Sequence, residues 1–100
     1  MYGIRINLYN EILNVIKEFG VNKIILFGSR ARGDFKDTSD IDIAIEFLTD
    51  DKDNFIKIQT KLEELNTLYK FDIVDFRSIK DSKFKNEILK DGIVIYNKNN

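Results

Sequence analysis

The chain has no cysteine and no histidine. Without cysteine there is no disulfide, no thiolate nucleophile and no thiolate metal site. Without histidine the Ser-His-Asp class is excluded, as are imidazole-ligated zinc centres. Any catalysis must then run on carboxylates, hydroxyls, lysine, arginine and a hard, oxygen-seeking ion, and such ligands favour Mg²⁺ or Mn²⁺. Long apolar runs are missing too. No segment approaches the roughly 20 residues that span a bilayer, and the N-terminal stretch lacks a signal-peptide pattern, so no membrane is expected and the expected location is the cytoplasm. Nor is there an excess of positive charge: a formal net charge of −1 and a pI near 5.4 argue against a nucleic-acid module working through bulk electrostatics.

What is present suits one small globule. The 100 residues are 43% apolar and 33% charged, enough for a single core and too few for two, so residues 1–100 are expected to form one domain. Leu8, Ile12, Leu13, Ile16 and Phe19 recur at helical spacing over 6–19, with Gly20 as the stop. Residues 23–27 are a short apolar run read as a buried strand, 29–33 a short helix or tight turn, and 34–39 a polar loop. A second strand over 40–47 precedes a helix over about 52–69, marked by Phe55, Ile58, Leu62, Leu65 and Tyr69. A third strand over 71–76, a short helix marked by Phe84, Ile88 and Leu89, and a fourth strand over 93–96 complete the order, with 97–100 as a frayed tail. These elements predict an α+β fold: a small mixed or antiparallel sheet with helices packed on one face. Strand order is not fixed by periodicity.

Two segments carry chemistry. Gly28 directly after a strand lets the backbone turn sharply and approach a ligand, and Ser29 adds a hydroxyl beside the amides of the following turn. The plain alternative is a strand-to-helix turn. It is not a P-loop: Gly28 and Gly33 have the glycine spacing, but Asp34 and Phe35 stand where Lys and Ser/Thr belong. Asp40 and Asp42 alternate with Ile41, Ile43 and Ile45, so both acids project from one strand face with attachment points roughly 6.5–7 Å apart. A simply polar, exposed face is the bland alternative. A third acid sits inside the apolar run 71–76, where Asp72 and Asp75 face opposite ways; Asp72 is the favoured member of the cluster and Asp75 the reserve. Three carboxylates on neighbouring strands suit metal-assisted phosphoryl transfer, with Asp40 and Asp42 holding ions and triphosphate and Asp72 ligating or accepting a proton. Arg30 and Arg32 are candidates to pair with phosphate, against the alternative of solvated charges or ion pairs to Asp34 or Asp37. Ser39 is read as orienting the strand entry, and Tyr2, Tyr9, Tyr69 and Tyr96 as packing or surface residues.

Taken together, Gly28-Ser29-Arg30-Ala31-Arg32-Gly33 and Ser39-Asp40-Ile41-Asp42-Ile43 resemble the signature of nucleotidyltransferases related to DNA polymerase β: Gly-Ser, ten residues, then Asp-x-Asp. The Ala-Arg-Gly and Ser-Asp-Ile-Asp elements narrow the resemblance to the minimal nucleotidyltransferase (MNT) group, and it extends from Val21 to Tyr96. The resemblance implies Mg²⁺-dependent use of a nucleoside triphosphate such as ATP, with Gly28 and Ser29 as the phosphate-binding pair and Asp40, Asp42 and Asp72 as metal ligands. It also implies a small helical partner of the HEPN type in a toxin–antitoxin pair, with AMP transferred to a tyrosine hydroxyl of that partner. Two alternatives stand beside it. One is the same chemistry on a small molecule such as an aminoglycoside, with homo-oligomerisation building the acceptor pocket. The other is an antitoxin that binds nucleotide but acts by contact alone.

Overall fold

β1 (Val21–Phe27) is apolar without interruption from Ile24 to Phe27, and all four side chains are buried. A strand buried on both faces needs cover on both. The computed structural model, which describes residues 1–50 and 52–99, supplies it. β1 lies inside a four-stranded mixed sheet of order β3-β2-β1-β4, antiparallel to β2 (Ile41–Phe47) and to β4 (Ile93–Asn97), while β2 runs parallel to β3 (Phe71–Asp75). Two helices of twelve residues, α1 (Ile6–Lys17) and α3 (Lys52–Glu63), share one face. There Ile12, Ile16, Ile58 and Leu62 pack on Ile24 and Leu26 of β1, on Ile41, Ile43 and Ile45 of β2, and on Ile73.

The opposite face carries a smaller cluster. Ile25 and Phe27 of β1 and Ala44 of β2 meet Phe76, from the 3-10 turn Phe76–Ser78, and Ile88 of α4 (Ser82–Asp91). The mixed sheet and α+β class agree with expectation, and the difference lies in α4, which covers the other face. Its reason is the uninterrupted apolar run of β1, whereas β2 alternates and buries only its isoleucine side fully in the helix layer. Among the described residues, no helix is long and apolar enough to cross a membrane.

Element ends differ from expectation in two places that matter. The third helix stops at Glu63, and 64–70 form an irregular turn whose bonds include Leu65 N–H to the Leu62 carbonyl and Thr67 N–H to the Leu65 carbonyl. The apolar spacing of Leu65 and Tyr69 mimics two further helical turns, yet both residues reach the core rim from this loop. Of the three residues expected to mark α4, Ile88 is buried and Phe84 half-buried, whereas Leu89 is 60% exposed. Of the expected polar tail, Asn97 closes β4 and Asn100 lies outside the described residues.

Candidate active site

The site grows from the end of β1 and the start of β2. Phe27 pairs with Asp42 across the antiparallel ladder, so the residue after Phe27 is delivered beside the Asp42 side chain. That residue is Gly28, at φ 73° and ψ −155°, a conformation that side chains other than hydrogen rarely adopt. Closeness makes the same demand: a β-carbon on Gly28 would collide with Oδ2 of Asp42 and lie 3.0 Å from its Cγ. α2 (Ser29–Arg32) then makes a single turn, with the Arg32 amide donating to the Gly28 carbonyl at 3.1 Å and Gly33 closing it at φ 90°.

On its other side Asp42 pairs in register with Asp72 of parallel β3. Matching positions on parallel neighbours project to the same face, so these two carboxylates share the face that also carries Ala44 and Val74. Asp40 lies exposed immediately before β2, and Asp72 is exposed at the sheet edge. Asp42 is half-buried between them. Burial first, then the charges of Asp72 and Asp40, push its carboxyl up to about 6, against opposing pulls from Arg32 and Arg30. Asp75 is engaged elsewhere: its carboxylate accepts from the Arg77 amide at 3.2 Å and the Ser78 hydroxyl at 3.0 Å, capping the 3-10 turn.

Among the described residues, no three acidic side chains already converge on one point where an ion would be held. The donor set nonetheless fits a hard divalent ion: oxygen ligands only, acidic, on adjoining strands of one sheet.

The two arginines part company. Arg32 is 46% exposed, with Nε 3.4 Å from Asp34 Oδ2. It lines a cleft of about 480 Å³ together with Phe27 and Gly28 on one wall and Phe84, Glu87 and Lys90 of α4 on the other. That volume lies within the ~300–1,000 Å³ typical of small-molecule sites. Arg30 instead is buried, and it meets neither the Asp34 nor the Asp37 carboxylate as an ion pair; its partners are main-chain carbonyls, including that of Asp37. Charge alone suggested a solvated or phosphate-binding role for Arg30, because main-chain carbonyls, here those of Tyr2, Asp37 and Ser39, leave no mark in a sequence. The α4 wall was equally hidden, since periodicity marks a buried stripe and not what the remaining faces overlook. Ser39 orients the strand entry as expected, its hydroxyl accepting from the Lys36 amide at 2.9 Å.

Comparison with known proteins converges with this geometry. The family model for the polymerase beta nucleotidyltransferase matches residues 10–100. A Methanocaldococcus jannaschii protein with the provisional name of protein adenylyltransferase is 34% identical over 84 residues, spanning 75% of this chain and 96% of that protein. A crystal structure of a toxin–antitoxin with AMP-PNP holds a chain of the same fold, with TM-score 0.71 and 27% identity over 89% of this chain and 73% of that one. A protein provisionally named a minimal nucleotidyltransferase gives TM-score 0.67 at 25% identity, over 84% of this chain and 85% of its own. Acids alternating at the entry of β2, a glycine pressed against one of them and a match along nine-tenths of the sequence lead to the same place: the chain belongs to the polymerase β nucleotidyltransferase family, and it is an enzyme of the minimal nucleotidyltransferase kind.

Proposed function

We propose that this protein transfers AMP from ATP to a tyrosine hydroxyl of a small helical HEPN-type partner, and that the modification is how it neutralises that partner. The observation that carries the proposal is the placement of Asp42, pressed against Gly28 on one side and in register with Asp72 on the other. The adenylyltransferase name of the Methanocaldococcus jannaschii relative supports AMP as the transferred group. The toxin–antitoxin neighbour with AMP-PNP supports a nucleotide and a protein partner.

In this reading Asp40, Asp42 and Asp72 hold Mg²⁺, or Mn²⁺ in its place, and Gly28, Ser29 and Arg32 hold the triphosphate. The bound ion supplies positive charge against the phosphates. Gly28 admits the phosphates close to the backbone because it has no side chain. The Ser29 hydroxyl donates to a phosphate oxygen, and Arg32 pairs with another from the cleft wall. The acceptor oxygen attacks the α-phosphorus, the bond from that phosphorus to the bridging oxygen breaks, and pyrophosphate leaves. Asp72, at the open edge of the sheet, takes the proton released by the hydroxyl.

The test is incubation with labelled ATP and Mg²⁺, with and without the product of the adjacent gene, followed by intact-mass measurement. The expected result is an AMP increment on the partner. Tight complex formation with no transfer from any nucleoside triphosphate would replace this reading with neutralisation by contact. Transfer to an aminoglycoside and not to protein would replace it with the small-molecule reading.

The third acid is tested separately. Asp72→Asn is expected to slow transfer by about 10²-fold or more, the usual scale for losing a general base. Asp75→Asn should stay within about threefold of wild type while loosening the cap of the 3-10 turn. The reverse pattern in steady-state rates would move the third role to Asp75.

A further inference from the structure

Arg30 is the only buried charged side chain among the described residues, at 1% exposure. Its Nε and Nη2 donate to the Ser39 carbonyl at 3.2 and 2.8 Å, Nη2 also to the Asp37 carbonyl at 3.4 Å, and Nη1 to the Tyr2 carbonyl at 3.0 Å. The guanidinium lies 4.8 Å from the ring centroid of Tyr69 and 5.2 Å from that of Phe35. Among the described residues no carboxylate lies within ion-pair distance of it. A cation buried without a counter-charge is costly, and a hydrophobic side chain of similar volume fills such a space more cheaply. What an apolar side chain lacks is a planar fork of donors with faces that stack on rings.

Apart from the N-terminal segment at Tyr2 and the Phe35 ring, the segments that this fork joins are the ones that build the site. Arg30 belongs to α2, the turn that follows Gly28 and Ser29. Ser39 immediately precedes Asp40. Tyr69 lies in the loop that enters β3, where the next residue's carbonyl, that of Lys70, accepts from the Ile41 amide at 2.9 Å. We propose that Arg30 is a positioning residue for nucleotidyl transfer: its guanidinium locks the entries of β2 and β3 to α2, and so fixes Asp40, Asp42 and Asp72 relative to the Gly28–Ser29 turn. This rests on the function proposed above. Its role differs from a phosphate contact, because every donor bond shown ends on a main-chain carbonyl of the chain itself, and it differs from general core packing, because the Ser39, Asp37 and Tyr69 partners lie at the entries of β2 and β3.

Arg30→Lys keeps the charge without the fork, and Arg30→Met keeps the volume without the charge. Both are expected to lower kcat by about 10²-fold, the scale of an ångström-sized misplacement of reacting groups, while KM for ATP stays within about threefold because Gly28, Ser29 and Arg32 are untouched. Amide hydrogen exchange should quicken at 37–42 and 69–72 and stay unchanged at the α1 core positions Ile12 and Ile16. A kcat within threefold of wild type in a folded variant overturns the proposal, as does unchanged exchange at 37–42 and 69–72, whatever the activity. Should neither variant fold, Tyr69→Leu removes one stacking face and keeps the carbonyl bonds; it must show the same exchange pattern and a smaller fall in kcat, or the clamp is overturned. A wild-type protein with no transfer activity counts against the proposed function, and the exchange data alone then decide the clamp.

Discussion

Asp42→Asn is expected to lose nucleotidyl transfer and gain thermal stability in the same sample. The loss follows from the central place of this carboxylate, beside Gly28 and in register with Asp72, and should reach about 10³-fold or more. The gain follows from its electrostatics. Burial and the neighbouring Asp72 and Asp40 raise its carboxyl from 3.8 to about 6, so the native state penalises the charged form. Below the ordinary value the carboxyl is protonated in native and unfolded chains alike, and no penalty exists. As pH rises through the window from about 4 to about 6, the unfolded chain ionises freely and the native one resists, so native stability falls; above the window the full penalty persists. Asparagine never carries it. Discounted for the solvent that reaches this half-buried group, the difference is about 1 kcal/mol above pH 6, or about 4–8 °C in Tm for a domain of this size, and it vanishes near pH 3.5. Melting curves of the metal-free proteins across this range give the answer. An Asn variant no more stable than wild type at pH 7.5 would contradict the crowded-carboxylate description, and one that still transfers AMP would remove Asp42 from the site.

A comparison between two glycines has the next largest expected effect. Gly28 and Gly33 flank the same helical turn and both have positive φ, 73° and 90°. A β-carbon on Gly33 meets nothing within 4 Å, whereas one on Gly28 runs into the Asp42 carboxylate. Gly33→Ala therefore costs backbone strain alone, about 1–2 kcal/mol, with kcat/KM within about threefold of wild type. Gly28→Ala adds displacement of Asp42 to a backbone conformation that is nearly exclusive to glycine, so transfer should fall by about 10²–10³-fold for a stability loss of about 1–3 kcal/mol. Equal activity losses in the two variants would mean that the turn's conformation, and not the space beside Asp42, governs the reaction.

The legible parts of the chain were those in which local sequence and local environment agree. The alternation of Asp40, Asp42 and the isoleucines gave β2 its face, while the parallel register of Asp72 with Asp42 and the cap that Asp75 supplies to a turn come from the packed structure. The uninterrupted run in β1 calls for cover on its second face, and only the packed structure shows that α4 supplies it. Tyr69 illustrates the opposite case. Its spacing from Leu65 and Leu62 fits a helix, but no helix is needed to bury it, and the loop in which it lies takes it to the guanidinium of Arg30. Arg30 was the least legible residue of all. Its surroundings are main-chain carbonyls and ring faces from residues 2, 35, 37, 39 and 69, and although three of these lie within nine residues of it, carbonyls and rings leave no charge pattern in a sequence.

β3 lies at the rim of the sheet while β2 lies inside it, and Asp72 of the one is in register with Asp42 of the other. Rim strands open more readily than inner ones, through partial excursions that leave the rest of a domain folded. Each excursion of β3 takes Asp72 away from Asp42 and returns Asp42 to a less crowded neighbourhood. The time for which Asp42 and Asp72 face each other is thus governed by the rim strand, and two molecules of equal global stability can differ in it.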